Sequence, residues 1–227
     1  MKMIEQYSKE WYLRRLGKFT GSQIGDLMVK GRKKDELFGA TAMTYIYGVA
    51  AERDLATSYK IDDYLWEIYQ NQVSVSTKYT EWGHDNEELA IEKYEDVTHN
   101  RCDEVGSVVH PTLPTFAASP DRIANVNGEA TVVEVKCPLP KTFMKYKVEI
   151  KDNQSLLAVE PKYYYQVQAE MLCTGCKQAD FVVFCPFQSH PIHIVRILAD
   201  EDVQKELETR VIEAEKLIES WISRKKD

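Results

Sequence analysis

Apolar positions change their spacing twice along this chain, dividing it into a helical front, a strand-rich middle and an alternating back. Ser22 stands just before an apolar pattern at Ile24, Leu27 and Met28, which predicts a short helix with Ser22 as its N-cap. Ala42, Tyr45, Ile46 and Val49 carry a helical pattern over 40–59, and a shorter helix over 83–98 opens at Gly83, His84 and Asp85. The runs Ser107–Val109, Thr115–Ala118 and Thr131–Lys136 are short and β-rich, bounded by Pro111, Pro114, Pro120, Asn125, Asn127 and Gly128. They predict a central meander. Helical signals return at 141–147 and 161–173, where Pro161 suits a first turn and Gly175 a stop. Two strands, Asp180–Cys185 and Ile192–Leu198, precede a last helix with Val203, Leu207, Val211, Ala214, Ile218 and Trp221 on one stripe. The order predicts an α+β fold, an α/β sandwich with a mixed central sheet flanked by helices.

Length and composition narrow the setting. The 227 residues suffice for a full core, and no linker-like stretch divides them, so 1–227 is expected to be one domain. No run approaches the ~18–20 apolar residues of a membrane span, and the first ten residues are polar, which leads to an expectation of a cytoplasmic protein. Five scattered cysteines at 102, 137, 173, 176 and 185 argue against a disulfide framework. A net charge of -7 looks unsuited to nucleic acid, yet residues 1–34 balance at +6, and Lys136–Lys151 holds five lysines against Glu149. Such segregation suits a basic groove in an acidic body.

In Thr131-Val-Val-Glu-Val-Lys136, strand alternation puts Val132, Glu134 and Lys136 on one face. Asp121 lies thirteen residues before Glu134, behind a turn-prone proline, where a hairpin can bring the two carboxylates together. Close carboxylates repel unless a cation sits between them, and Mg²⁺ suits such oxygen ligands. Lys136 would then orient the attacking water or neutralise charge developing on a phosphate. Glu87 shares a helical stripe with Ile91 and Tyr94, so a carboxylate points inward, where a metal or nearby cation would account for it.

Ser-Pro-Asp121, twelve residues, then Glu134-Val-Lys-Cys-Pro resembles the PD-(D/E)XK nuclease signature, and more narrowly the lambda exonuclease and YqaJ-type viral recombinases. Other segments agree in order: Trp11 with Arg15-Leu-Gly17, Thr20-Gly-Ser22, Trp82-Gly83 with Glu87, Phe143-Met-Lys145, and Tyr163 with Gln166-Val-Gln168. The resemblance implies a restriction-endonuclease-like core and a Mg²⁺-dependent 5′-to-3′ exodeoxyribonuclease, with Mn²⁺ as a substitute, that leaves 3′ overhangs on linear duplex DNA for recombination. It implies two ions, with Asp121 touching both, Glu134 and the Val135 carbonyl on one and Glu87 near the other. Arg15 and Ser22 match positions that hold the 5′ phosphate, and Ser119 is placed to donate to the same group. Of Gln166 and Gln168, which cannot share a helical face, the resemblance selects Gln166 for a phosphate or metal-bound water. A ring trimer and a single-strand annealing partner are implied in the same way.

Three other readings compete. An endonuclease of the same superfamily would share the core but cut internal sites. An iron–sulfur relative would draw on Cys102, Cys173, Cys176 and Cys185. A DNA-end-binding module would have lost the chemistry, against which stands the full set of acids and the lysine. Lys78-Tyr-Thr-Glu81 is where an apolar strand-parting wedge is expected, yet only Tyr79 is strongly apolar.

Overall fold

A computed structural model of the chain describes residues 8–33, 36–73 and 78–223. Its larger sheet has the order β2 (Cys102–Glu104), β5 (Arg122–Val126), β6 (Glu129–Lys136), β7 (Gln178–Phe184) and β8 (Ile192–Leu198). β6 and β7 run parallel and the other neighbours antiparallel. A parallel pair needs a crossover. Three helices supply it: α7 (Pro140–Glu149), α8 (Asn153–Val159) and α9 (Pro161–Thr174). Pro161 opens α9 where its missing N–H costs nothing, and Gly175 closes it at φ 79°.

The alternation along β6 assigns its two faces. Val132, with Phe181 and Val183 of β7, packs against Phe143, Leu156 and Val167 of the crossover helices. Val133 and Val135 pack on the other side against Ala90, Ile91 and Tyr94 of α6 (Lys78–Thr98). The sheet is thus covered on both faces, the α/β sandwich expected from the sequence.

A third apolar cluster lies around the small sheet β1 (Phe19–Thr20), β4 (Phe116–Ala118) and β3 (Val108–Val109). Around it pack α2 (Ile24–Leu27), α3 (Ala40–Arg53) and α10 (Glu201–Ser223). Leu207, Val211, Ala214 and Ile218 of α10 are fully buried, as the stripe predicts. Each fully buried Leu, Val or Ile contributes roughly 1.5–3 kcal/mol. Gly25 allows α2 onto α9, since a Cβ there would stand 2.9 Å from Lys162 Cα.

The central strands depart from a simple meander. Phe116–Ala118 joins the small sheet, and the stretch expected as a turn contains β5, whose Arg122, Ala124 and Val126 face inward. Pro120, Asn125 and Asn127 mask that alternation. The hairpin turn is the two residues Asn127 and Gly128, at φ 54° and 88°, the positive-φ pair that a tight β-hairpin requires. Among helices, α3 stops at Arg53 and α6 starts at Lys78. The sequence reading gave no sign of α1 (Lys9–Arg15), α4 (Thr57–Ile61), α5 (Asp63–Val73) or α8. Ser22 sits inside a single 3-10 turn, Gly21–Gln23, and caps no helix. Its hydroxyl accepts from Arg15 instead. No helix among the described residues is long and apolar enough to cross a membrane.

Candidate active site

Antiparallel pairing places Arg122 opposite Val133, so Asp121, one step before β5, comes beside Glu134. Asp121 Oδ2 accepts the Val135 N–H at 2.7 Å, which pins the turn to the strand. Glu134 is 1% exposed and points from β6 toward α9. Its Oε1 accepts from Lys136 Nζ at 2.5 Å and from Gln166 Nε2 at 2.6 Å, while its Oε2 is buried with no protein partner. Lys136 Nζ also lies 4.8 Å from the centroid of the Tyr163 ring. The strand period thus delivers Glu134 and Lys136 to one side, as the sequence requires.

Electrostatics follow from crowding. Burial, then the charges of Glu134 and Glu87, push the Asp121 carboxyl well above the usual carboxylate range, against the pull of Lys136. For Lys136 burial works downward, but Glu134 and Asp121 outweigh it and the pKa is raised. An ammonium so held remains charged at any working pH; it donates to a water or screens an anion and does not take up a proton.

Two residues that sequence reading missed complete this side. Glu170, one turn beyond Gln166 on α9, is 1% exposed and accepts from Gln166 Nε2 at 2.9 Å. Burial and then the charges of Glu134 and Asp121 push it well above the usual range. The signal was present as an i, i+4 Gln–Glu pair. Arg122, 7% exposed, donates to the Asp121 carbonyl at 2.7 Å, pairs with Glu88, and has Glu87 at 3.8 Å. Glu87 therefore leans toward the site beside a cation, close enough for its charge to act on Asp121.

Among the described residues no three Asp, Glu, His or Cys side chains close a metal cage as they stand. What stands here is an open carboxylate pair, with the unpartnered Glu134 Oε2 and a second buried oxygen, Glu170 Oε2, nearby. That donor set fits Mg²⁺, which is held by one or two carboxylates, waters and substrate phosphate in preference to an all-protein cage.

A second cluster lies on the other side of Ser119-Pro120-Asp121. Arg15 Nη1 donates to Ser119 Oγ at 2.6 Å and Nη2 to Ser22 Oγ at 3.3 Å, with the guanidinium stacked 4.2 Å from the Trp11 ring centroid. Arg15 and Ser22, near neighbours in the chain, thus meet the distant Ser119 in one donor-rich group. Gln166 does not join it; its amide nitrogen belongs to the carboxylate side. Gln168 takes a packing role, donating to the Leu198 carbonyl and accepting the Asp200 N–H.

The cysteines do not converge. Cys173 belongs to the cluster around the small sheet, Cys176 and Cys185 to the crossover side, and Cys102 and Cys137 each border the cluster on the α6 side. The side chains of Lys78–Glu81, where a wedge was expected, lie outside the described residues, as do Lys2 and Lys34 of the basic run. Within that run Lys9 pairs with Asp63 and Lys30 with Glu206.

Comparison with solved structures shows the same fold elsewhere. LHK-Exo in complex with dAMP is 27% identical, with a TM-score of 0.73 over 96% of this chain and 97% of that one. The alkaline exonuclease LHK-Exo from Laribacter hongkongensis, solved separately, aligns at 25% identity and a TM-score of 0.71, again over 96% and 97% of the two chains. A phage related exonuclease from Haemophilus somnus 129PT shares the fold at 17% identity and a TM-score of 0.63, over 91% of this chain and 96% of that one. These are exonuclease structures of the PD-(D/E)XK fold, and the mixed sheets and flanking helices described above match them. No curated protein matches the chain significantly. Residues 10–177, which carry every candidate site residue, match one family along their whole length, and the chain belongs to the YqaJ-like viral recombinase domain family.

Proposed function

We propose that the protein is a Mg²⁺-dependent 5′-to-3′ exodeoxyribonuclease that degrades one strand of linear duplex DNA and leaves 3′ overhangs. Family membership and likeness to an alkaline exonuclease support a nuclease. The observation that carries the finer reading is the distance along the chain between the two clusters. Ser119, held by Arg15, is two residues from Asp121, and two residues span at most about 7 Å. A terminal phosphate on Arg15, Ser22 and Ser119 therefore sets the next phosphodiester, one nucleotide away, beside the carboxylates. The relative that holds dAMP, a single nucleotide, agrees with such a step.

Each residue then has a task. Arg15 offers a planar fork to the phosphate and the two serines add hydroxyls. Asp121, Glu134 and the Val135 carbonyl would hold Mg²⁺, with Glu87 toward a second ion. The bound metal supplies Lewis-acid stabilisation of the phosphoryl oxygens and a more acidic water. Lys136 stays cationic beside the attacked phosphorus, held there by Glu134 and the Tyr163 ring. Gln166, anchored by Glu134 and Glu170, presents its amide carbonyl to the same space. Water attacks phosphorus, the P–O3′ bond breaks, and the released nucleotide leaves with a 3′ hydroxyl. Assembly as a ring and hand-over of the 3′ strand to an annealing protein belong to the same proposal.

The test is digestion of 5′-phosphorylated linear duplex with and without metal. Mg²⁺ or Mn²⁺ restores activity after chelation, and Ca²⁺, which prefers more ligands at longer distances, does not. Asp121→Asn, Glu134→Gln and Lys136→Met each lower the rate by about a hundredfold or more without loss of fold. Full activity in excess chelator overturns the metal reading.

A further inference from the structure

Arg15 and Ser22 also line a cavity of about 680 Å³, walled by α1, α3 and α5. Asp121, Glu134, Lys136 and Ser119 do not line it. Its volume falls within the ~300–1,000 Å³ of small-molecule sites. Trp66 and Tyr69 face it as a tilted aromatic pair with centroids 5.8 Å apart, Trp11 brings the ring on which Arg15 stacks, and Thr44 and Gln70 add hydrogen-bonding groups. Flat rings with a few polar edges are what a nucleobase takes, since every base has a face to stack and an edge to pair. The phosphate grip is therefore a waist with two sides. One side leads to the carboxylates and the other to an aromatic chamber of nucleoside size.

We propose that this chamber is a binding site for the nucleoside lying 5′ of the gripped phosphate, so that a strand with a 5′ hydroxyl is engaged one nucleotide further in. The inference rests on the 5′-phosphate reading of Arg15, Ser22 and Ser119. On such a strand the only phosphate available to the grip is the first internucleotide one, and its terminal nucleoside must sit beyond Arg15. The bond presented to the carboxylates is then the second. Water adds to that phosphorus, the P–O3′ bond of the second nucleotide breaks, and its O3′ leaves as a hydroxyl. The product is a dinucleoside monophosphate with two free hydroxyl ends. The remaining strand begins with a 5′ phosphate and proceeds by single nucleotides.

Gly48 offers a way to close the chamber. It lies on the exposed side of α3 at the cavity wall, and a Cβ there meets nothing within 4 Å. Gly48→Phe puts a ring into the space, and glycine is a poor helix former, so the helix tolerates the change. Tyr69→Ala removes a stacking face by a different route.

The experiment digests one duplex in 5′-phosphate and 5′-hydroxyl forms, with Mg²⁺, and identifies the first product by mass spectrometry. Expected are a mononucleotide from the first form and a dinucleoside monophosphate from the second. In both variants the ratio of 5′-hydroxyl to 5′-phosphate initiation falls on the order of tenfold, about 1.4 kcal/mol. A free nucleoside as first product, no digestion of the 5′-hydroxyl form, or an unchanged ratio in both variants overturns the chamber. Failure to release mononucleotides from the 5′-phosphate form overturns the underlying reading as well, and so the two failures are told apart.

Discussion

Gln166 spends one nitrogen on two acids, Glu134 and Glu170, and this fixes which end of its amide faces the open side of the site. Glu170 thus acts through Gln166 as a positioning residue. Because burial and the neighbouring carboxylates push Glu170 well upward, its neutral form is favoured, and an uncharged isostere should serve. Glu170→Gln is expected to keep kcat within about threefold of the parent, whereas Glu170→Ala, which leaves the Gln166 amide anchored by Glu134 alone, loses on the order of tenfold, the scale of a 1.4 kcal/mol change. Steady-state kinetics on 5′-phosphorylated duplex separates them. Equal damage in the two variants would show that the charge itself is needed.

His110 shows how an element is tied down. It lies just after β3 and is 5% exposed. Its Nδ1 accepts from the Thr112 and Leu113 N–H groups at 3.3 and 3.1 Å, and its Nε2 is 3.3 Å from Glu208 on α10. Only an imidazole with a bare Nδ1 can do this. Burial holds its pKa below the ordinary 6.5, with Glu208 pulling the other way. The unfolded chain therefore binds the proton first as pH drops. The stability is present above about pH 6.5 and is lost as pH falls from there toward the depressed folded value, at no more than about 1.4 kcal/mol per pH unit. Urea unfolding at several pH values should give His110→Gln a flatter profile than the parent over that window. A parallel pair of profiles would remove His110 from the account.

Elements of this chain differ in how plainly the sequence shows them. Strand period two put Glu134 and Lys136 on one face, and the structure agrees, because β6 is buried on both sides and its register is fixed by β5 and β7. The α10 stripe was legible because that helix has one wet side. α9 defeats a stripe reading: Tyr164, Gln166, Val167, Gln168, Ala169, Glu170 and Met171 are all buried, so an acid such as Glu170 looks like an ordinary solvent position. The strand β5 was hidden by turn residues at both ends, and α8 and α4 are too short for periodicity to show. The joining of Arg15 to Ser22 and Ser119 was suggested only by likeness, since no local pattern links residues 104 apart.

Across the whole molecule, the phosphate grip and the carboxylate site depend on one another through Ser119-Pro120-Asp121, a segment anchored at one end by Arg15 and at the other by the Val135 N–H and Arg122. Function on this account is end-dependent, because the grip takes the first phosphate of a strand end and takes it best when that phosphate is terminal, and lost positioning costs transition-state energy. The most direct measurement is digestion of one labelled duplex in three forms: 5′-phosphorylated linear, 5′-hydroxyl linear and covalently closed circle. The account predicts rapid loss of the first, loss of the second slower by on the order of tenfold or more, and an intact circle, with Arg15→Ala erasing most of the preference between the linear forms. Equal cleavage of all three would contradict it.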